Sequence, residues 1–249
     1  MTTTNPFDGK TLLARIGEYH SRHSLCGDIA EIDEYTVRND TKKVVGLHRR
    51  RYDEGGAISS ERWFGADGTL QILTEYLYDR SDCLVYERTA FLKTGEQAAK
   101  KYRLSASGDR LEVVSRFGGE AGKSAVYLLD AEGRITGRFD RAAGDSDAQA
   151  GQIEHAERDE SGRIVRYVTK DPNGTVLNLV ELEYGRSIPF IHYRGFSFPG
   201  KFITEEIQSV FSYDKQGNWI RQNEKTLVCD RGSCWRLSTV KSRKIGYRG

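Results

Sequence analysis

A beat of turn residues runs through the chain. Gly55, Gly68, Asp82, Gly95, Gly108, Gly122 and Gly133 follow at steps of 13, 14, 13, 13, 14 and 11 residues. After the polar stretch RAAGDSDAQAG (141–151), Gly162 and Gly174 stand 12 apart. Self-similarity at a short fixed period decides architecture before any single residue does. The markers lie in turn-like clusters, most of which end in Gly, among them YDEGG, GADG, YDRSD, SASG, DAEG, RDESG and DPNG, with YDKQGN further on. Three- to five-residue hairpin loops usually need one residue with φ above zero, which glycine adopts without strain. A neighbouring Asp or Asn can cap such a loop through its side chain.

Between the turns, apolar residues alternate. In DRLEVVSRF, Leu111, Val113, Ser115 and Phe117 share one face and Arg110, Glu112, Val114 and Arg116 the other. GRITGRFD groups Ile135, Gly137 and Phe139, and GTVLNLVELEY groups Val176, Val180, Leu182 and Tyr184. Period two means strand. Strands of about 6 to 9 residues with short turns every 13 or so pair sequentially and antiparallel, because parallel crossovers need a dozen or more connecting residues. Only the start has helical spacing: after Asn5-Pro6, Leu12, Leu13, Ile16 and Tyr19 predict a helix over 9–22, with Asp8 as its N-cap. The expectation is therefore all-β: a helical segment at 1–30, then a long curved antiparallel meander at 31–249. Such a sheet must curl to bury a face, as an open barrel or a sandwich.

Composition narrows the function classes. Charged residues make up 30% of the 249, yet the net charge is only +2, so no strong single-sign field exists. No run approaches the roughly 18 apolar residues of a helical membrane span, and the N-terminus lacks the pattern of a secretory leader. The expected compartment is the cytoplasm, with no membrane partner. HRRRY (48–52) and KSRKIGYR (241–248) are basic, but strand-edge lysines and arginines more commonly guard against aggregation, so nucleic acid is not the expected partner.

Catalytic signatures are missing. HSRHSLC spaces His20, His23 and Cys26 by three, but no matching half-motif supplies further ligands, so it reads as a polar helix end and no metal or other cofactor is expected. GGEAGKS (118–124) lacks the phosphate-loop spacing and lies between strands. No nucleophile elbow is present, and His48, His155 and His192 lie on unrelated segments. Of four cysteines, Cys26, Cys83, Cys229 and Cys234, free thiols are the default. The exception is VCDRGSCW, where a turn at Arg231-Gly232 can bring Cys229 and Cys234 opposite each other on adjoining strands.

FSYDKQGNW (211–219) resembles the Tyr-Asp repeat of Rhs and YD-repeat proteins, in which a strand runs into Tyr-Asp-x-x-Gly and out into the next strand. The match is good at Tyr213, Asp214, Gly217 and Asn218, and partial at Tyr52, Asp53 and Gly55. At Tyr78 and Asp79 the glycine is missing. In large Rhs proteins such repeats enclose a toxin domain; a short free-standing sheet of this kind looks like an accessory protein. The resemblance thus implies a non-enzymatic immunity protein that binds and occludes a cognate secreted bacterial toxin. The alternatives are a structural or envelope-associated YD-repeat module and an enzyme without a recognisable motif.

The aromatic residues supply candidate anchors, because Tyr and Trp present a large apolar body with a polar tip. The segment SIPFIHYRGFSFPG (187–200) breaks the metre and contains two of the four prolines. Tyr193, Arg194, Phe196 and Phe198 from this segment, with Trp63 and Tyr78, form the expected partner-binding set.

Overall fold

A computed structural model of the chain describes residues 27–78, 84–118, 120–142, 152–185, 190–198, 202–230 and 233–248. The sixteen strands run β1 (Ile29–Arg38), β2 (Val44–Tyr52), β3 (Ile58–Phe64), β4 (Leu70–Tyr78), β5 (Leu84–Phe91), β6 (Glu96–Leu104), β7 (Arg110–Phe117) and β8 (Glu120–Leu129). They continue as β9 (Ile135–Ala142), β10 (Ile153–Arg158), β11 (Ile164–Lys170), β12 (Val176–Tyr184), β13 (Phe190–Ser197), β14 (Phe202–Tyr213), β15 (Trp219–Asp230) and β16 (Ser233–Tyr247). Each pairs antiparallel with the next, and β16 pairs with β1, so the meander closes into a barrel. The sheet does not divide into a sandwich. Closure removes the two long open edges that a sixteen-strand sheet would otherwise present. The expected helix over 9–22 and the HSRHSLC segment lie outside the described residues, as does most of the YDRSD turn.

The Tyr-Asp-x-x-Gly unit is a hairpin turn held by its aspartate. Loops starting at Asp53, Asp130, Asp159, Asp171 and Asp214 share one wiring. The Asp N–H donates to the carbonyl four residues on, the glycine three residues on donates its N–H to the Asp carbonyl, and the Asp carboxylate accepts the N–H of the fourth residue. The glycines of these five loops sit at φ between +70° and +87°, where a side chain is strained. In DEGGA this role falls to Gly56 rather than Gly55, because the loop counts from Asp53. The turn expected at Gly122 lies earlier, at Gly118 (φ +59°), and Gly122 is inside β8.

Register defines two faces. One runs through Glu34, His48 and Trp63, then Thr74, Thr89 and Ala98, and on through Val113, Ala125, Tyr167, Val180 and Tyr193 to Thr226 and Leu237. It is the more buried: in β4, Ile72, Thr74 and Tyr76 are covered while Gln71, Glu75 and Leu77 are exposed. Side chains crowd on the concave side of a closed sheet, so this is the inner face. Sixteen strands enclose more space than side chains can fill. Accordingly the inner face is apolar only over part of the barrel, where Leu111, Val113, Tyr127, Leu129, Ile164, Tyr167 and Leu182 cluster, and elsewhere carries paired charges.

The outer face alternates ion pairs with two packed apolar clusters, Val126 with Phe139 and Val168 with Leu179 and Phe196. Register shifts near strand ends move two residues to the opposite face from that expected. Ile135 joins the inner cluster and Val176 packs against the outer one.

Candidate binding rim

The seam where the barrel closes carries a buried charge cluster on the inner face. Arg243 Nε donates to Glu34 at 2.9 Å, and an Arg50 nitrogen lies 3.4 Å from the same carboxylate. Arg50 also faces Glu61 at 3.7 Å, and His48 Nε2 lies 3.4 Å from Glu61. Trp63 stacks on His48 at 3.6 Å between ring centroids, and the Arg243 guanidinium lies 3.4 Å above the Trp219 ring. Arg243 has only 7% of its side chain exposed. Burial pulls its pKa down to about 10, against the opposing pull of Glu34. Burial acts to raise Glu34, but Arg243 and Arg50 outweigh it and hold the carboxyl below its ordinary value. Opposite charges thus join β16, β1, β2 and β3 from within.

The C-terminus ties the same seam from one end. Tyr247 OH donates to the Asp214 carboxylate and accepts from Asn218 Nδ2 at 2.8 Å, while Arg248 donates to the Tyr52 carbonyl at 2.8 Å. These bonds link β16 to the turns after β14 and β2. A second inner group centres on Glu87, which accepts from Lys100 at 2.8 Å and from Tyr102 OH at 2.7 Å. Among the described residues no group of three or more His, Cys, Asp or Glu is placed to hold a metal ion.

At the other end, the β15–β16 hairpin overshoots the barrel. Pairing of β16 with β1 ends at Thr239 opposite Arg38, whereas pairing with β15 continues to Ser233 opposite Asp230. Cys229 and Cys234 face each other near the tip, 4.2 Å apart between Cα atoms, and form a disulfide. The default of free thiols therefore does not hold for this pair. Closing a loop this short contributes about 2 kcal/mol by loop-closure entropy. Thiol titration of the denatured protein is expected to find two fewer thiols before reduction than after; equal counts would contradict the bridge.

Two large apolar side chains stand free on this extension. Trp235 is 52% exposed and Leu237 41%. They occupy the inner-facing side of β16, beyond the last residue of β1 that pairs there. Beside them a groove of about 540 Å³ is lined by Asp40, Glu206, Lys225, Thr226, Arg236 and Leu237, among others. An exposed Trp and Leu on a covalently closed hairpin, next to a groove with both charge signs, has the make-up of a protein-docking rim.

The residues singled out from the sequence do not converge on one surface. Tyr193 lies on the inner face of β13 against the apolar cluster. Arg194 points outward, 3.4 Å from Glu181. Phe196 is buried with Val168 and Leu179, and Phe198 packs against that cluster. Trp63 covers His48 at the seam, and Tyr78 donates its hydroxyl to the Ile58 carbonyl at 2.8 Å. Only Phe196 and Phe198 share a cluster. Trp235 and Leu237 are not among those singled out, although the 15 residues from Gly217 to Gly232, longer than the usual beat, mark a longer hairpin.

No protein-family model matches the chain, and no curated protein does either. Among solved structures it is similar to a porin-like protein from Bacteroides uniformis, at 10% identity and a TM-score of 0.43, covering 89% of this chain and 99% of that one. A porin-like protein from Bacteroides vulgatus matches over the same shares at 10% identity and a TM-score of 0.35. A TcdB2-TccC3 structure matches 82% of this chain but 16% of its own length, at 9% identity and a TM-score of 0.18. At such scores none of these likenesses bears on what the chain does.

Proposed function

We propose that the chain is a non-enzymatic protein-binding barrel, and most concretely an immunity protein that binds and occludes a cognate secreted bacterial toxin. The observation that carries the reading is the exposed Trp235–Leu237 pair on the disulfide-closed hairpin. Binding energy concentrates in a few large side chains on preorganised surfaces, and Trp is enriched among them. Occlusion asks for nothing more than such a surface with complementary charges around it. The outer face speaks against lipid as the partner. Asp33–Arg49, Glu157–Arg166 and Glu181–Arg194 are ion pairs on that face, along with Arg62 and Arg88, where a membrane barrel presents an apolar band.

One observation favours the second reading, an envelope-associated module. The Cys229–Cys234 bridge suits an oxidising compartment, whereas in the expected cytoplasm the pair would be held as thiols. Capture of partners by the tagged full-length chain from its own organism's lysate, followed by a toxicity assay with and without the chain, tests the main reading. The expected partner is a protein whose toxicity the chain suppresses. Trp235→Ala is expected to weaken it roughly 30-fold or more, about 2 kcal/mol, with thermal unfolding nearly unchanged. A captured partner that binds both proteins equally, or whose activity the chain leaves intact, would sink the proposal.

A further inference from the structure

The overshoot of β16 leaves a short open strand edge, and its polarity can be read from one bond. Asn39 N–H donates to the Ser238 carbonyl at 3.0 Å, so at Ser238 the backbone groups of β16 point toward β1. Backbone groups alternate sides along a strand, and in an antiparallel pair a residue's N–H and C=O share a side. Arg236 and Cys234 therefore direct theirs outward, past the end of β1, while Leu237, Trp235 and Ser233 direct theirs toward β15. The Cα separation of 4.2 Å at Cys229–Cys234 agrees, being that of a non-hydrogen-bonded pair. Among the described residues no strand covers this edge.

Charge says what would fit there. Beside the edge, Lys225 and Arg236 have no acidic partner within ion-pair distance among the described residues, whereas the two acids that line the groove are engaged, Asp40 by Arg38 and Glu206 by His192. Two copies of this chain meeting edge to edge would bring Arg236 residues together, a like-charge contact of the kind that keeps open edges from self-pairing.

From these observations we infer that the open edge at Cys234–Arg236 takes up an extended, acidic segment of a protein partner as an added strand. Backbone bonds to Arg236 and Cys234 hold it, Trp235 and Leu237 receive its alternate apolar side chains, and Arg236 with Lys225 face its carboxylates. Strand addition of this kind draws affinity from the main chain and specificity from alternate side chains. The inference rests on the protein-binding reading and specifies how its partner docks.

The test is selection of phage-displayed random octapeptides on the intact protein, followed by titration of the selected peptides made synthetically. Each peptide is also made with alternate backbone amides N-methylated. The expected peptides alternate Asp or Glu with apolar residues, and N-methylation weakens them at least tenfold. Arg236→Pro, which removes an N–H that points away from β15, is expected to abolish binding while the thermal midpoint holds. Arg236→Gln should retain binding with a reduced salt dependence. No enrichment, enrichment without acidic residues, or N-methylated peptides that bind undiminished would overturn the inference. A captured toxin lost with Trp235→Ala but retained with Arg236→Pro would overturn strand addition alone. Acidic peptides that bind as expected while no toxin is captured would support strand addition and leave the immunity reading to fail by itself.

Discussion

Replacing Glu34 by Ala is expected to cost about 3–5 kcal/mol of stability, read as a lower midpoint of urea unfolding. The loss arises from what remains. Arg243 stays almost fully buried, its hydrogen-bonded carboxylate gone and Arg50 nearby on the same inner face, across β1. Removing one member of a buried pair strands the other charge, which is worse than removing both. Glu34→Leu combined with Arg243→Met should therefore lose less than Glu34→Ala alone. The same carboxylate sets an acid limb. Its folded pKa lies below its ordinary value of 4.5, so its contribution is fully present above that pH and is lost as pH falls through the folded pKa. Glu34→Ala should flatten that limb. A cost below about 1 kcal/mol, with an unchanged acid profile, would mean that the cluster behaves as exposed pairs do and does not seal the seam.

Phe196→Ala is expected to cost a further large amount, about 3–5 kcal/mol, because the ring is only 7% exposed and packs with Val168 and Leu179. Phe198→Ala, at the margin of that cluster, should cost less. The measurement is again the unfolding midpoint, now beside partner capture. A variant that unfolds normally but loses its partner would return Phe196 to the role read from the sequence. The expected pattern is the reverse: lost stability, with capture intact in whatever fraction stays folded.

These cases show where sequence reading held and where it stopped. The meander was legible because an Asp-capped loop needs its glycine at a fixed offset, a local requirement independent of the rest of the fold. Even there the offset mattered: counting from Asp53 selects Gly56, which the beat alone missed. Closure of the sheet was not legible, since it depends on residues as remote as Glu34 and Arg243 meeting across the seam. Nor was the position of Phe196. An aromatic residue in an irregular stretch looks the same on a rim as in a packed outer cluster, and only the register with Leu179 distinguishes them. The rim hairpin was half visible, as a cysteine pair flanking a turn, but its overshoot follows from where β1 ends.

Native-state amide hydrogen exchange resolved to single residues tests directly whether the barrel closes through β1 and β16 and leaves an open edge at the hairpin tip. The amides of Ile32–Val37 and Val240–Ile245 that bond across the seam are expected among the slow exchangers, alongside those of β7 and β8. The outward amides of Cys234 and Arg236 should exchange rapidly while that of Leu237, bonded to β15, is protected. Seam amides exchanging as fast as those at the tip would contradict closure, and protected amides at Cys234 and Arg236 in the free protein would contradict the open edge.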